Sequence, residues 1–194
     1  MDQEARFRPA RPEDASVLAE LINLAGEGLP LYWWGKLTEP GETAWEVGRK
    51  RAARNEGSFS YRNAMVIEYE GRAVATLIGY EIADHPEPIT TGMPAMFVPL
   101  QELENLAPGT WYVNVLATLP GYRNLGLGSD LLRLAEETGR NLGKRGMSVI
   151  VSDTNIAARR LYERSGYRES ARRTMIKEDW INEGRAWLLL TKKF

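Results

Sequence analysis

The chain has 194 residues, 43% of them hydrophobic, enough to bury one sizeable core and within the range of a single domain spanning residues 1–194. Its 25 basic and 26 acidic side chains nearly cancel, so no basic field exists to attract nucleic acid or an anionic membrane, and a small-molecule or peptide partner is expected. Cysteine is absent and His85 is the only histidine, which removes disulfides, thiolate metal sites and a cysteine nucleophile, and leaves little for a histidine-based zinc site or serine triad.

In chain order, Met1 to Pro12 is charged and lacks an apolar run, and no stretch approaches membrane-spanning length, so a cytoplasmic protein is expected. Val17, Leu18, Leu21, Ile22 and Ala25 recur at helical spacing and predict an amphipathic helix over residues 13–25, with Asp14 or Glu13 near its start. Gly26-Glu27-Gly28-Leu29-Pro30 is expected to end it. A loop carrying Tyr32, Trp33 and Trp34 follows, then a more polar helix over residues 43–55. Residues 64–69 and 73–82, rich in Val, Ile and Tyr around Glu70-Gly71, predict a β-hairpin. Residues 85–109 hold several prolines and read as an irregular excursion with one short helix over 100–106. Strands are predicted over 111–117, 148–151, 172–176 and 186–191, and helices over 127–142 and 157–165. The longer of these helices sets Leu127, Leu131, Leu134, Ala135, Thr138 and Leu142 on one face. The whole reads as helices on a mixed sheet.

Between the strand ending near Thr118 and that helix lies Pro120-Gly121-Tyr122-Arg123-Asn124-Leu125-Gly126-Leu127-Gly128. Glycines let the backbone approach an anion, and the following helix would point free N–H groups and its positive dipole end at it. The same glycines also suit a plain tight turn. A Walker loop is excluded, because Ser129 follows Gly128 directly with no lysine before it. A dinucleotide fingerprint would need a third small residue where Leu131 stands, so that reading is a weak alternative.

Arg123-x-x-Gly126-x-Gly128, preceded by Leu116-Ala117-Thr118-Leu119-Pro120 and followed by Asn155-x-x-Ala158-x-x-Leu161-Tyr162-Glu163-x-x-Gly166-Tyr167, resembles the GNAT superfamily of N-acetyltransferases. The resemblance is close from Trp111 to Glu169, and the order of the preceding helices and hairpin agrees with it. It implies an α/β (α+β) fold: a mixed, mostly antiparallel twisted sheet of about seven strands with helices on both faces, splayed between strands 4 and 5. Acetyl-CoA would lie with its pantetheine arm in that splay. The resemblance further implies that backbone groups of Leu116, Ala117 and Thr118 pair with the pantetheine. Arg123, Asn124, Leu125, Gly126, Leu127 and Gly128 would cradle the pyrophosphate. Asn155 falls on the family asparagine that contacts the cofactor, and Tyr162 on the tyrosine that serves as general acid.

Acetyl transfer from a thioester to an amine needs a neutral amine, a stabilised oxyanion and a departing thiolate. An alkyl thiol with a pKa near 8.5 is a tolerable leaving group, helped by a proton from a tyrosine hydroxyl. No enzyme nucleophile and no metal are required. Taken singly, Asn155 also reads as a helix N-cap, and Tyr162, on one face with Ala158 and Leu161, as a core aromatic. The predicted fifth strand, Ser148-Val149-Ile150-Val151, lacks the glutamate that many peptide-acetylating members use as base. Glu81, Asp84, His85 and Asp153 are the candidates for that role, beside a water chain or an amine that arrives neutral. Tyr32, Trp33 and Trp34 would form an aromatic wall for the acceptor, anchor the first helix, or lie in a homodimer interface. The function expected is transfer of an acetyl group from acetyl-CoA to a primary amine, with a non-catalytic acyl-CoA sensor and a dinucleotide-binding protein as alternatives.

Overall fold

The structure, a computed structural model, describes residues 5–194. In chain order its elements are β1 (Arg6–Pro9), α1 (Ala15–Ala25), α2 (Leu29–Gly35), α3 (Ala44–Ala52), β2 (Ala64–Tyr69), β3 (Arg72–Glu81) and α4 (Val98–Glu104). These are followed by β4 (Thr110–Thr118), α5 (Leu127–Asn141), β5 (Gly146–Ser152), α6 (Ile156–Arg164), β6 (Arg168–Thr174) and β7 (Ala186–Lys193). The strands form one seven-stranded mixed sheet in the order β1-β2-β3-β4-β5-β7-β6. Strands β4 and β5 pair in parallel. Two compact units make up the chain: Met1–Gly79 with Val115–Leu132, and Tyr80–Asn114 with Arg133–Phe194.

In the first unit the hairpin forms as predicted. Glu70 and Gly71 both take positive φ (51° and 76°), the conformation a two-residue turn between right-twisted strands demands. Strand β1 is an addition to the sequence reading. Arg-Phe-Arg-Pro offers no apolar face, and the strand forms because its backbone pairs with β2 in the register Arg6↔Glu68 to Pro9↔Met65. Arg8 fastens it, donating to Glu68 and Asp14 at 2.7 Å each. Asp14 is thereby committed to Arg8 and to the amide of Arg11, and α1 starts at Ala15 without a side-chain cap after a single 3-10 turn over Pro12–Asp14.

The segment of Tyr32, Trp33 and Trp34 is a helix, α2, rather than a loop. Positive φ at Glu27 and Gly28 makes the break, and Pro30 falls in the first turn, where its missing N–H costs nothing. This sorts the aromatics. Trp34 is buried, meets Trp45 edge-on at 6.2 Å and lies so close to Gly48 that an added Cβ there would come within 2.5 Å of the indole. Trp34 therefore anchors α2 to α3 and is not free to wall a substrate pocket. Around it, Leu18, Ile22, Val47, Val66, Ile78 and Val115 complete the core of this unit. Thr43 and Glu46 cap α3 reciprocally, which explains why so polar a helix holds.

In the second unit β5 pairs with β7 and β7 with β6, both antiparallel, over buried Met147, Val149, Leu188, Leu189 and Leu190. Gly146 sits against the carbonyl of Lys192, leaving no room for a Cβ. Strand β6 begins at Arg168 and ends at Thr174, four and two residues earlier than predicted for start and end. Its burial alternates weakly, and a bulge between Glu169 and Ala171 breaks its period, so its apolar pattern is faint. Leu142 is exposed rather than on the buried face, because Gly143 with φ 67° ends the turn. The short helix predicted over 100–106 is α4 and starts at Val98. Its Glu102 pairs with Arg173 of β6 at 2.5 Å.

Candidate active site

The glycine loop belongs to the first unit. From β4 the chain passes Leu119, whose amide donates to Val74 O at 2.8 Å, then a 3-10 turn over Pro120–Tyr122, and enters α5 at Leu127. Asn124 (φ 64°) and Gly126 (φ 83°) are both left-handed. Gly126 is the effective cap: the amides of Ser129 and Asp130 both donate to its carbonyl, at 2.9 and 3.1 Å. Leu127 and Gly128 are then the first residues of α5, whose amides have no partner within a helix by construction. An added Cβ at Gly126 would meet nothing within 4 Å, so the space on that side of the turn is open. Two demands thus fall on one glycine: the turn needs its φ, and an anion approaching the amides needs its bareness.

The side chains of this loop divide the work. Leu127 is buried and ties the turn to the core, whereas Arg123, Asn124 and Leu125 are exposed. Arg123 donates from Nε to Thr118 O at 3.4 Å, which leaves the rest of its guanidinium available to a phosphate. The β4–β5 ladder runs from Thr110↔Gly146 to Val113↔Val149. Leu116, Ala117 and Thr118 lie beyond its last rung and are half-buried.

In the second unit, Asn155 caps α6, its Oδ1 accepting from the amide of Ala158 at 3.2 Å. The capping role is real, and it leaves the side-chain N–H₂ group of Asn155 for other partners. Asn155→Ala should lose about 1 kcal/mol of stability, read from denaturant unfolding. Asn155→Ser keeps the cap, so any loss of acetyl-CoA affinity in that variant measures a cofactor contact rather than a damaged helix. Tyr162 is buried, with its ring 5.7 Å from that of Tyr167. Burial pushes its hydroxyl well above the ordinary tyrosine value, so it stays protonated throughout the physiological range.

Tyr162 belongs to a larger polar group that the sequence did not reveal. Tyr80 of β3 donates its hydroxyl to Glu104 Oε2 of α4 at 3.3 Å, and its ring meets that of Tyr112 edge-on at 5.3 Å. Burial pushes the Glu104 carboxyl up to about 7, against the pull of the Tyr80 hydroxyl, which favours the carboxylate. The Tyr112 hydroxyl is raised well above its usual value, first by burial and then by the nearness of Glu104, Tyr80 and Tyr162. No motif marks Glu104. It follows Glu102 by two residues on one short helix, and only the packing of α4 tells which acid meets an arginine and which a tyrosine.

Three of the four base candidates read from sequence are otherwise engaged. Glu81 pairs with Lys144, and Asp84 with Arg145 at 2.8 Å in an exposed bridge. Asp153 accepts from the amide of Arg185 at 3.0 Å, and His85 is exposed. Among the described residues, no group of three or more His, Cys, Asp or Glu is placed to hold a metal ion, and no helix is long and apolar enough to cross a membrane.

Comparison with known proteins agrees with this fold. Solved structures sharing the fold include the Drosophila melanogaster polyamine N-acetyltransferase, which catalyses formation of N-acetylagmatine (TM-score 0.69, 18% identity, 98% of this chain and 100% of that one). An N-acetyltransferase from Staphylococcus aureus Mu50 aligns with TM-score 0.66 at 18% identity over 97% of this chain and 100% of its own. The ribosomal-protein alanine N-acetyltransferase of Escherichia coli aligns with TM-score 0.61 at 16% identity, over 98% and 94%. No curated protein matches the sequence. The acetyltransferase (GNAT) family profile matches residues 30–167, which include α2 from its second residue, the hairpin, the glycine loop and Tyr162. The chain is therefore an acyltransferase that belongs to the acetyltransferase (GNAT) family.

Proposed function

We propose that the chain acts as one catalytic domain that transfers an acetyl group from acetyl-CoA to a primary amine by direct attack. The turn from Arg123 to Gly128 carries this reading. It combines a positive-φ glycine, open space on that glycine's side and the free amides of a long helix, which suit a pyrophosphate. In this reading Arg123, Asn124, Leu125, Gly126, Leu127 and Gly128 hold the pyrophosphate. The backbone of Leu116, Ala117 and Thr118 pairs with the pantetheine, and a strand N–H polarises the thioester carbonyl. Asn155 adds a cofactor contact through its free amide group.

Tyr162 is the general acid. Its protonated hydroxyl supplies the proton that the departing CoA sulfur takes up when the tetrahedral intermediate collapses. The acceptor is a small-molecule or peptide amine. Structural neighbours that act on agmatine, polyamines or a ribosomal-protein alanine support that breadth and favour none of the three.

Titration calorimetry tests the cofactor assignment. Acetyl-CoA is expected to bind, with NAD and ATP as much weaker ligands; preference for NAD would overturn the reading in favour of a dinucleotide-binding protein.

A further inference from the structure

The reaction needs a group to take the proton of the acceptor ammonium, and the fifth strand, Gly146–Ser152, carries no titratable side chain. We propose that Glu104 of α4, held by the Tyr80 hydroxyl beside Tyr112, is the general base that accepts this proton. The proposal rests on the acetyl-transfer reading above.

Geometry singles Glu104 out. Strands β5, β6 and β7 pack against α4, and Tyr80 of β3 reaches it as well. Of the charged groups of β6 and β7, Arg173 is held by Glu102, Arg172 by Glu169 and Lys192 by Glu136 at 2.6 Å, Arg168 donates to the carbonyls of Glu163 and Tyr167, and Lys193 is exposed. Glu104 is left with the neutral hydroxyl of Tyr80, and with a half-buried position that keeps it in reach of an incoming amine. A carboxylate bordered by two tyrosine rings is also a fitting host for an ammonium group, which gains from the ring faces as well as from the charge. Tyr112, whose ring meets that of Tyr80, is within electrostatic reach of both Glu104 and Tyr162.

The steps balance. Glu104 takes one proton from the acceptor ammonium. The freed nitrogen lone pair forms the C–N bond at the thioester carbon, and the C–S bond breaks as the intermediate collapses. Sulfur takes its proton from Tyr162, and the second proton, shed by the nitrogen, restores that hydroxyl through solvent. The proton on Glu104 is the one released overall. With its carboxyl at about 7, Glu104 is a base across the neutral range, and the rate should rise with pH through that value.

The test is thiol release from acetyl-CoA with agmatine, spermidine and an alanine-starting peptide as acceptors, followed against pH. Glu104→Gln should lower kcat by roughly 10²-fold or more, with acetyl-CoA affinity kept, and should abolish the acidic limb near neutrality. Tyr80→Phe removes the hydrogen bond that favours the carboxylate, so the limb should move to higher pH while kcat on the alkaline plateau falls only a few-fold. A merely structural role would move neither limb. Turnover by wild type with Glu104→Gln equally active, or with an unmoved limb in both variants, overturns the assignment of Glu104 alone. A wild type that releases no thiol with any acceptor overturns the acetyl-transfer reading and the base together.

Discussion

Gly126→Trp is expected to weaken acetyl-CoA binding by at least about 100-fold, about 2.7 kcal/mol, in calorimetry against wild type. Two effects add. At φ 83° any residue with a Cβ is strained by roughly 1–2 kcal/mol, so the turn distorts and the first amides of α5 lose their common direction. The indole then fills the open space beside the turn, where nothing lies within 4 Å of a Cβ position. Gly126→Ala separates the two: it carries the strain with little of the blockage and should lose much less affinity. Equal binding by wild type and Gly126→Trp would remove the pyrophosphate from this loop.

Tyr162→Phe is expected to lower kcat by roughly 10²-fold while leaving acetyl-CoA affinity within about twofold of wild type. The ring stays, so its packing against Tyr167 is preserved and only the proton donor is lost. Because burial keeps the hydroxyl protonated, wild type should show no alkaline loss of rate attributable to Tyr162 below pH 9 or so. The defect should shrink with an acetyl donor whose thiol is more acidic, since such a sulfur leaves without a proton. A Tyr162→Phe enzyme with wild-type kcat would leave Tyr162 as the core aromatic that its burial alone suggests.

Much of the local structure of the candidate site was legible because its parts are local. The glycine loop, the interval from Asn155 to Tyr162 and the Glu70-Gly71 turn each depend on backbone requirements within a few residues, and residue types report those directly. What escaped the sequence depends on partners distant along the chain. Strand β1 exists through its pairing with β2, some 60 residues away, and four residues carry no period of their own. The α2 helix was hidden by Pro30, which signals a break in one context and a first turn in another. Glu104 is the clearest case. Its proton affinity comes from burial beside Tyr80, and neither follows from its neighbours in α4. Of the roles the sequence left open for the aromatic run, packing is the one Trp34 takes, locked between Gly48 and Trp45, and only the fold could choose it.

The most direct test of the central claim is turnover itself: acetyl-CoA incubated with the protein and an amine panel, with free thiol followed optically and acetylated amine identified by mass. Amine-dependent thiol release matched by N-acetyl product is the predicted result. Acetyl-CoA binding with neither thiol nor acetylated amine formed for any acceptor would contradict it and leave a protein that senses the cofactor without using it.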